Sequence, residues 1–272
     1  MKIAAIQMVS TPDVARNLAA MQRLVAEAAA SGAGLVAVPE YFCLMGQRDS
    51  DKLDCAEPEG HGPIQQALSE AARRAGVWLV GGTLPMAIDG RSDRVRNTCQ
   101  VFAPDGAAVA RYDKIHLFAF DNGREQYDEG RVLEAGSEPV SFQAGAHRVG
   151  LSICYDLRFP ELYRRLAADD GSGLPCDLMC VPAAFTYTTG QKHWELLLRA
   201  RAVENQCYVL APAQGGRHEN GRRTWGHSMV IDPWGEVLAE VAEGEGVALA
   251  ELDGERLAEV RRQLPALRHR RL

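Results

Sequence analysis

The sequence predicts an α/β protein of four layers, two mixed β-sheets stacked face to face with helices on both outer sides. Three observations carry this. Strand-like apolar runs alternate with helical stretches at both ends of the chain, which favours parallel neighbours. Turn-flanked pairs of runs lie between them, which adds antiparallel hairpins and makes the sheets mixed. No linker-like Gly/Ser or Pro-rich segment and no internal repeat interrupts the 272 residues, of which 46% are hydrophobic, so residues 1–272 read as one domain.

Residues 2–8 form the first strand. Pro12 then opens a helix in which Val14, Leu18, Met21, Leu24, Val25 and Ala28 recur at helical spacing, and Gly32 and Gly34 close it. Residues 35–38 are a short apolar strand ending at Pro39. A second helix, Pro63–Ala75, carries Ile64, Ala67, Leu68 and Ala71 and stops at Gly76; residues 77–80 are the next strand. Runs 97–102 and 107–112 flank Ala103-Pro104-Asp105-Gly106, a turn whose Pro, Asp and Gly set up a hairpin. Strand 148–153 precedes a helix over 160–167, and strand 177–181 precedes a helix over 191–205. Strands then follow at Tyr208–Ala211, 226–231, 236–241 and 246–252, with Asp232-Pro233-Trp234-Gly235 as a hairpin turn. Gly254–Gln263 is the last helix.

Composition excludes several function classes. Charged residues make up 24%, with 36 acidic against 30 basic and a net charge of -6, so no basic footprint for nucleic acid is present. Arg268, His269, Arg270 and Arg271 read as a solvated tail. The seven cysteines are odd in number and without a disulfide-like spacing; most sit in apolar runs, as buried free cysteine does. A reducing compartment, the cytoplasm, is expected. Residues 3–9 resemble a leader only faintly, since Gln7 interrupts them and Thr11-Pro12-Asp13 follows at once. No run approaches the roughly 18 apolar residues of a membrane span. Cys176 and Cys180 have no matching second pair and the histidines are scattered, so no metal is expected. Gly81-Gly82 follows a strand, but no phosphate-cradling Gly-x-x-x-x-Gly-Lys occurs. No cofactor is expected.

Three strand ends carry reactive groups: Glu40 after 35–38, Lys114 after the hairpin, and Cys154 after 148–153. Catalytic groups in α/β sheets collect outside the carboxyl ends of strands. Taken singly, a strand-end cysteine is usually core, such a glutamate a turn or cap, and such a lysine a solvated charge. Together they make a workable site. An ordinary thiol, with a pKa of about 8.5, is mostly protonated at neutral pH. A carboxylate can take its proton and later return it to a departing amine. An ammonium can stabilise the oxyanion of a tetrahedral intermediate. The turn through Tyr155 and Asp156 leads toward a helix, and its backbone N–H groups are further candidate donors.

The segment Gly150-Leu-Ser-Ile-Cys-Tyr-Asp-Leu-Arg-Phe-Pro-Glu161 resembles the nucleophile motif of the nitrilase, or carbon–nitrogen hydrolase, superfamily. Pro39-Glu40 resembles its general-base motif and Tyr112-Asp-Lys-Ile-His-Leu-Phe118 its lysine motif, in the family's order Glu, Lys, Cys. The likeness runs from Ile3 to the last helix. It implies the α-β-β-α sandwich, a thioester on Cys154, Glu40 as base and acid, and Lys114 as oxyanion donor. Many members carry a second glutamate near the site; Glu129 matches best, although Glu125 and Glu134 stand nearby.

Within the superfamily the chain is most similar to Nit-type amidases that act on deaminated glutathione. His116-Leu-Phe-Ala-Phe-Asp-Asn-Gly123, the stretch from Trp194 to Tyr208, and Gly226-His-Ser-Met-Val-Ile-Asp-Pro-Trp234 carry this likeness. It implies a small-molecule amide as substrate and a homodimer or larger even assembly. A keto-acid amide, an N-carbamoyl amine or a nitrile would use the same chemistry, and a silent binding protein would have lost one of the three residues. A substrate with a carboxylate at each end needs cations. Arg158 is one candidate, and Arg217, Arg222 and Arg223 lie in a Gly-rich loop placed to cover the site. Phe185 and Thr189 are candidates for its mouth.

Overall fold

The computed structural model describes residues 1–168 and 175–271. In chain order the first half holds β1 (Lys2–Gln7), α1 (Val14–Ala30), β2 (Leu35–Ala37), α2 (Asp51–Asp54), α3 (Pro63–Ala75), β3 (Trp78–Val80), β4 (Leu84–Ile88), β5 (Arg91–Phe102), β6 (Ala108–Asp113), β7 (Ala119–Asp121) and β8 (Gln126–Asp128). The second half holds β9 (Ser141–Ala144), β10 (His147–Leu151), α4 (Pro160–Leu166), β11 (Leu178–Cys180), α5 (Tyr187–Asn205), β12 (Tyr208–Ala211), β13 (Gly215–Arg217), β14 (Arg223–Trp225), β15 (Ser228–Ile231), β16 (Val237–Val241), β17 (Gly246–Glu251) and α6 (Gly254–Gln263).

One sheet runs β17-β1-β2-β3-β5-β4 with β6 beside β5; the other runs β16-β15-β12-β11-β10-β9. Each has a parallel centre, β1–β2–β3 in the first and β10–β11–β12 in the second, flanked by antiparallel strands. The sheets are therefore mixed, as expected. Successive strand residues point to opposite faces, and here both faces are buried. Ile3, Ala5, Leu35 and Ala37 join the core shared with Val149, Leu151, Leu178 and Val209 of the second sheet. Their neighbours Ala4, Ile6, Val36 and Val38 instead pack on Met21, Leu24 and Val25 of α1 and Ile64 and Leu68 of α3. On the far side, Leu162 of α4 and Trp194 and Leu198 of α5 cover the second sheet. This is the four-layer α-β-β-α arrangement.

The helix ends follow local chemistry. The Asp13 carboxylate accepts from the Arg16 N–H at 3.1 Å, so α1 starts at Val14, two residues past Pro12. The helix expected over 191–205 begins at Tyr187 instead. The Gly-rich segment expected as a covering loop is the hairpin β13–β14. Between Cys154 and α4 lies a 3₁₀ turn, Cys154–Arg158. Among the described residues no helix is long and apolar enough to cross a membrane.

Candidate active site

Glu40 lies three residues beyond β2, in the first sheet, and Cys154 three beyond β10, in the second. The two parallel centres therefore deliver an acid and a thiol to the same end of the sandwich. Lys114 directly follows β6, and Glu129 opens a 3₁₀ turn after β8. The Glu40 segment is pressed close to the β3–β4 connection. A Cβ on Gly82, whose φ is +55°, would lie 2.1 Å from the Pro39 carbonyl oxygen.

Lys114 is the hub. Its Nζ is 2.9 Å from Glu40 Oε1 and 2.8 and 3.1 Å from the two oxygens of Glu129, and it is only 1% exposed. Burial works against its charge, but Glu129 and Glu40 outweigh burial and hold its pKa well above the ordinary lysine value. Burial would likewise raise Glu129, yet Lys114, the Phe118 N–H at 2.7 Å and the Tyr41 hydroxyl at 2.7 Å bring it below the ordinary value. The other acid, Glu40, accepts from Asn97 Nδ2 at 2.9 Å through Oε1 and from the Ala184 N–H at 2.9 Å through Oε2. Both carboxylates are thus oriented by fixed donors.

Cys154 sits at φ +47°, in the left-handed region that non-glycine residues seldom adopt. Its N–H donates to the Pro182 carbonyl at 2.9 Å. Two residues on, the fully buried Asp156 braces the turn. It accepts from the Ile153 N–H at 2.9 Å, the Tyr112 hydroxyl at 2.7 Å and the His116 N–H at 3.0 Å. His116 stacks on Phe159 with ring centroids 3.7 Å apart. Burial pushes the Cys154 thiol well above its ordinary value; the Glu40 charge adds to the rise and Lys114 offsets part of it. At neutral pH the resting sulfur keeps its proton, so attack requires a base.

The cleft over these groups is lined by Glu40, Glu129, Cys154, Tyr155, Arg158, Phe185, Thr189 and Arg222, among others. Glu40, Glu129, Cys154, Tyr155, Arg158, Phe185 and Thr189, all candidates read from the sequence, thus line one cleft, and Lys114 is buried against Glu40 and Glu129. Tyr155 stands edge-on to Phe118 at 5.1 Å. Arg158 lies 5.3 Å over the Phe185 ring and 5.7 Å over Tyr155. Of the three arginines expected in a covering loop, only Arg222 reaches the cleft. Arg217 is exposed, and Arg223 turns onto Tyr187, 3.7 Å from its centroid, and toward Glu243 at 3.6 Å. The neighbouring acids go elsewhere, Glu134 to Arg96 at 2.8 Å and Glu125 to Thr188 at 2.7 Å. Sequence reasoning missed Tyr41, Asn97 and the Ala184 N–H. Tyr41, next to Glu40, was the one with a positional clue.

A thiol that needs a base, a fixed carboxylate and a buried ammonium, gathered where two sheets end, define a hydrolase acting on carbon–nitrogen bonds. The family profile described as Carbon-nitrogen hydrolase matches residues 2–262. A deaminated glutathione amidase of Synechocystis sp. is 41% identical over 270 residues, covering 98% of this chain and 97% of that one. Omega-amidase NIT2 of Danio rerio is 40% identical, covering 99% of this chain and 94% of its own. Among solved structures, Saccharomyces cerevisiae Nit3, a member of branch 10 of the nitrilase superfamily, superposes with a TM-score of 0.87 at 32% identity, covering 100% of this chain and 97% of that one. The Caenorhabditis elegans NitFhit protein gives 0.87 at 37% identity over 99% of this chain, which spans 65% of that longer one. The chain belongs to the carbon–nitrogen hydrolase family.

Proposed function

We propose that the protein is a cysteine-dependent amidase that hydrolyses deaminated glutathione to 2-oxoglutarate and cysteinylglycine. The observation that carries this is a pair of arginines, Arg158 and Arg222, on the lining of a cleft that also holds Cys154 and Glu40. Among the described residues neither guanidinium has a carboxylate partner: Arg158 Nη1 is 3.3 Å from His193 Nδ1, and Arg222 lies over Tyr127 at 5.3 Å. Two cations at one cleft suit a substrate with a carboxylate at each end. The names of the relatives point the same way.

In this reading Glu40 takes the Cys154 proton as sulfur adds to the amide carbonyl carbon. Lys114 and the backbone N–H of Tyr155 stabilise the oxyanion. Collapse breaks the C–N bond, and Glu40 returns the proton to the leaving amine. A thioester remains on Cys154. Water, losing a proton to Glu40, then adds to the thioester, and the carboxylic acid leaves as sulfur regains a proton. Glu129 holds Lys114 in place. Atoms balance with water as the only co-reactant. Arg158, Phe185 and Thr189 bind the keto-acid end. We further place the protein in the cytoplasm, as its free cysteines suit a reducing compartment, and as a homodimer or larger even assembly.

The test is kcat/KM for deaminated glutathione beside 2-oxoglutaramate, an N-carbamoyl amine and a nitrile. Deaminated glutathione should lead. A lead of about tenfold or more, some 1.4 kcal/mol, for any other compound overturns the substrate and leaves the chemistry standing.

A further inference from the structure

Next to the cleft lies a second basin, with Arg48, Asp49, Lys52 and Asn220 in its wall. Tyr41 and Arg222 line both spaces, so the two are adjacent. We infer that this basin is a leaving-group subsite that takes an amine whose far end carries a carboxylate, a peptide-like chain. The inference rests on the amidase reading above and deepens it.

Shared walls set the direction. The leaving amine must meet Glu40 to gain its proton, and the cleft that holds Glu40 shares Tyr41 and Arg222 with the basin. A chain carried by the amine can reach the basin past these two residues, while the acyl part stays at Cys154. The basin beyond is equipped for an anion. Lys52 has a side chain only 11% exposed, yet its one carboxylate neighbour, Asp49 at 3.3 Å, is 60% exposed. An ammonium has three donors, and among the described residues two of these have no acceptor. Nζ lies 5.0 Å from the Tyr41 ring centroid, at the passage between the spaces. On the opposite wall Arg222 has no carboxylate partner.

The two walls are also fastened to each other. Asn220 donates through Nδ2 to the Gly46 carbonyl at 2.6 Å and accepts from the Arg222 N–H at 3.0 Å through Oδ1. His218, at the base of the same hairpin, is buried with ring nitrogens 2.9 Å from the Ser10 carbonyl oxygen and 2.8 Å from Thr224 Oγ1. Asn220 therefore joins the Arg222 backbone to the Gly46 carbonyl, and a carboxylate that enters the basin meets donors already held in its wall.

The experiment measures kcat/KM on three amides of one acyl group, 2-oxoglutaryl: cysteinylglycine, its C-terminal carboxamide, and ammonia. Wild type is compared with Lys52→Met, which keeps the stem over Tyr41, and with Arg222→Gln on the other wall. Wild type should prefer carboxylate over carboxamide by about tenfold or more, the scale of a charged hydrogen bond. Each variant should erase that preference, and its loss on the dipeptide amide should exceed its loss on the ammonia amide by about the same factor. A merely structural role would lower both substrates together. No preference in wild type, or parallel losses in both variants, overturns the subsite while the amidase reading stands. Turnover of the ammonia amide alone overturns the subsite and the deaminated-glutathione substrate and leaves the amidase chemistry standing, whereas no turnover of any of the three overturns the amidase reading itself. Should Lys52→Met fail to fold, Arg222→Gln still decides.

Discussion

Cys154 cannot attack as it rests, because burial and the Glu40 charge hold its proton on. Two predictions follow from that sulfur. Cys154→Ala should abolish turnover with an unchanged melting temperature, and intact-mass spectrometry of the wild type under substrate should show an acyl adduct on Cys154; an adduct on Cys43 or Cys180 would reassign the nucleophile. Glu40→Gln and Lys114→Ala should each lose on the order of 10²–10³ in kcat or more. Glu40→Gln should also lower the Cys154 pKa, read from thiolate absorbance against Cys154→Ala as a blank, because it removes a charge that opposes ionisation. A rise instead would place Glu40 away from the sulfur. Glu129 allows a pH test. Its folded pKa is lowered, burial being overridden by Lys114, so its stabilisation is complete above the ordinary carboxylate range and is lost as pH falls through the lowered value. The stability gap between wild type and Glu129→Gln should be widest near neutral pH and should close in acid; a gap that is flat with pH refutes the ion pair. The three candidate reactive residues could be picked out because each follows a strand within a motif, and the fold brings their segments to one end of the sandwich. Asn97 carries no such sign and Tyr41 only its place beside Glu40; their contacts emerge when β5 and the Glu40 segment are brought side by side. Glu129 was chosen over Glu125 and Glu134 by family likeness alone, since all three occupy one polar stretch.

Elements buried on both faces were the readable ones. The strands β2, β11 and β12 are continuous apolar runs, β1 and β10 are apolar over 3–6 and 149–151, and α1 and α3 show helical spacing. The sequence of β5 misleads in its first half, where Arg91, Ser92 and Asp93 are exposed and the register with β4 shifts between Ala87 and Ile88. The hairpins β7–β8 and β13–β14 are three-residue strands rich in polar residues and glycine, so they leave no period to detect. Thr188, Thr189 and Gly190 looked like loop, yet they form the first turn of α5. There a Cβ on Gly190 would come within 2.3 Å of Trp225 Cβ, which ties this helix to the hairpin that carries Arg222. Connections between elements are as exacting as the elements. Gly82→Ala should cost about 2–3 kcal/mol, because the backbone is left-handed there and the added carbon meets the Pro39 carbonyl. Since Glu40 is the next residue, kcat should fall as well. Urea denaturation together with steady-state kinetics checks both, and a variant as stable and as active as wild type would mean that the two connections are free to part.

At the scale of the whole molecule, several large apolar side chains remain uncovered. Leu196 and Val203 of α5 are 67% and 48% exposed, and Trp234 and Leu238 are 49% and 43% exposed. Their burial in a homodimer or larger even assembly is the expectation to test. Light scattering at micromolar concentration should return at least twice the 29.7 kDa chain mass, and a clean monomer refutes it. The overall architecture was legible from alternation and hairpins. Which strands become neighbours was not, since β1 finds its antiparallel partner in β17, pairing Lys2 with Glu251 and Gln7 with Gly246. That pairing has a consequence for how the protein is made. On the ribosome β1 is synthesised long before its edge partner, with β2 to β16 made in between. Until β17 emerges, Ile3, Ala4, Ala5 and Ile6 therefore belong to a strand with one open side, a template for wrong pairing. A nascent chain halted before Gly246 should be held by chaperones or precipitate, and it should become soluble once the final strand has cleared the exit tunnel.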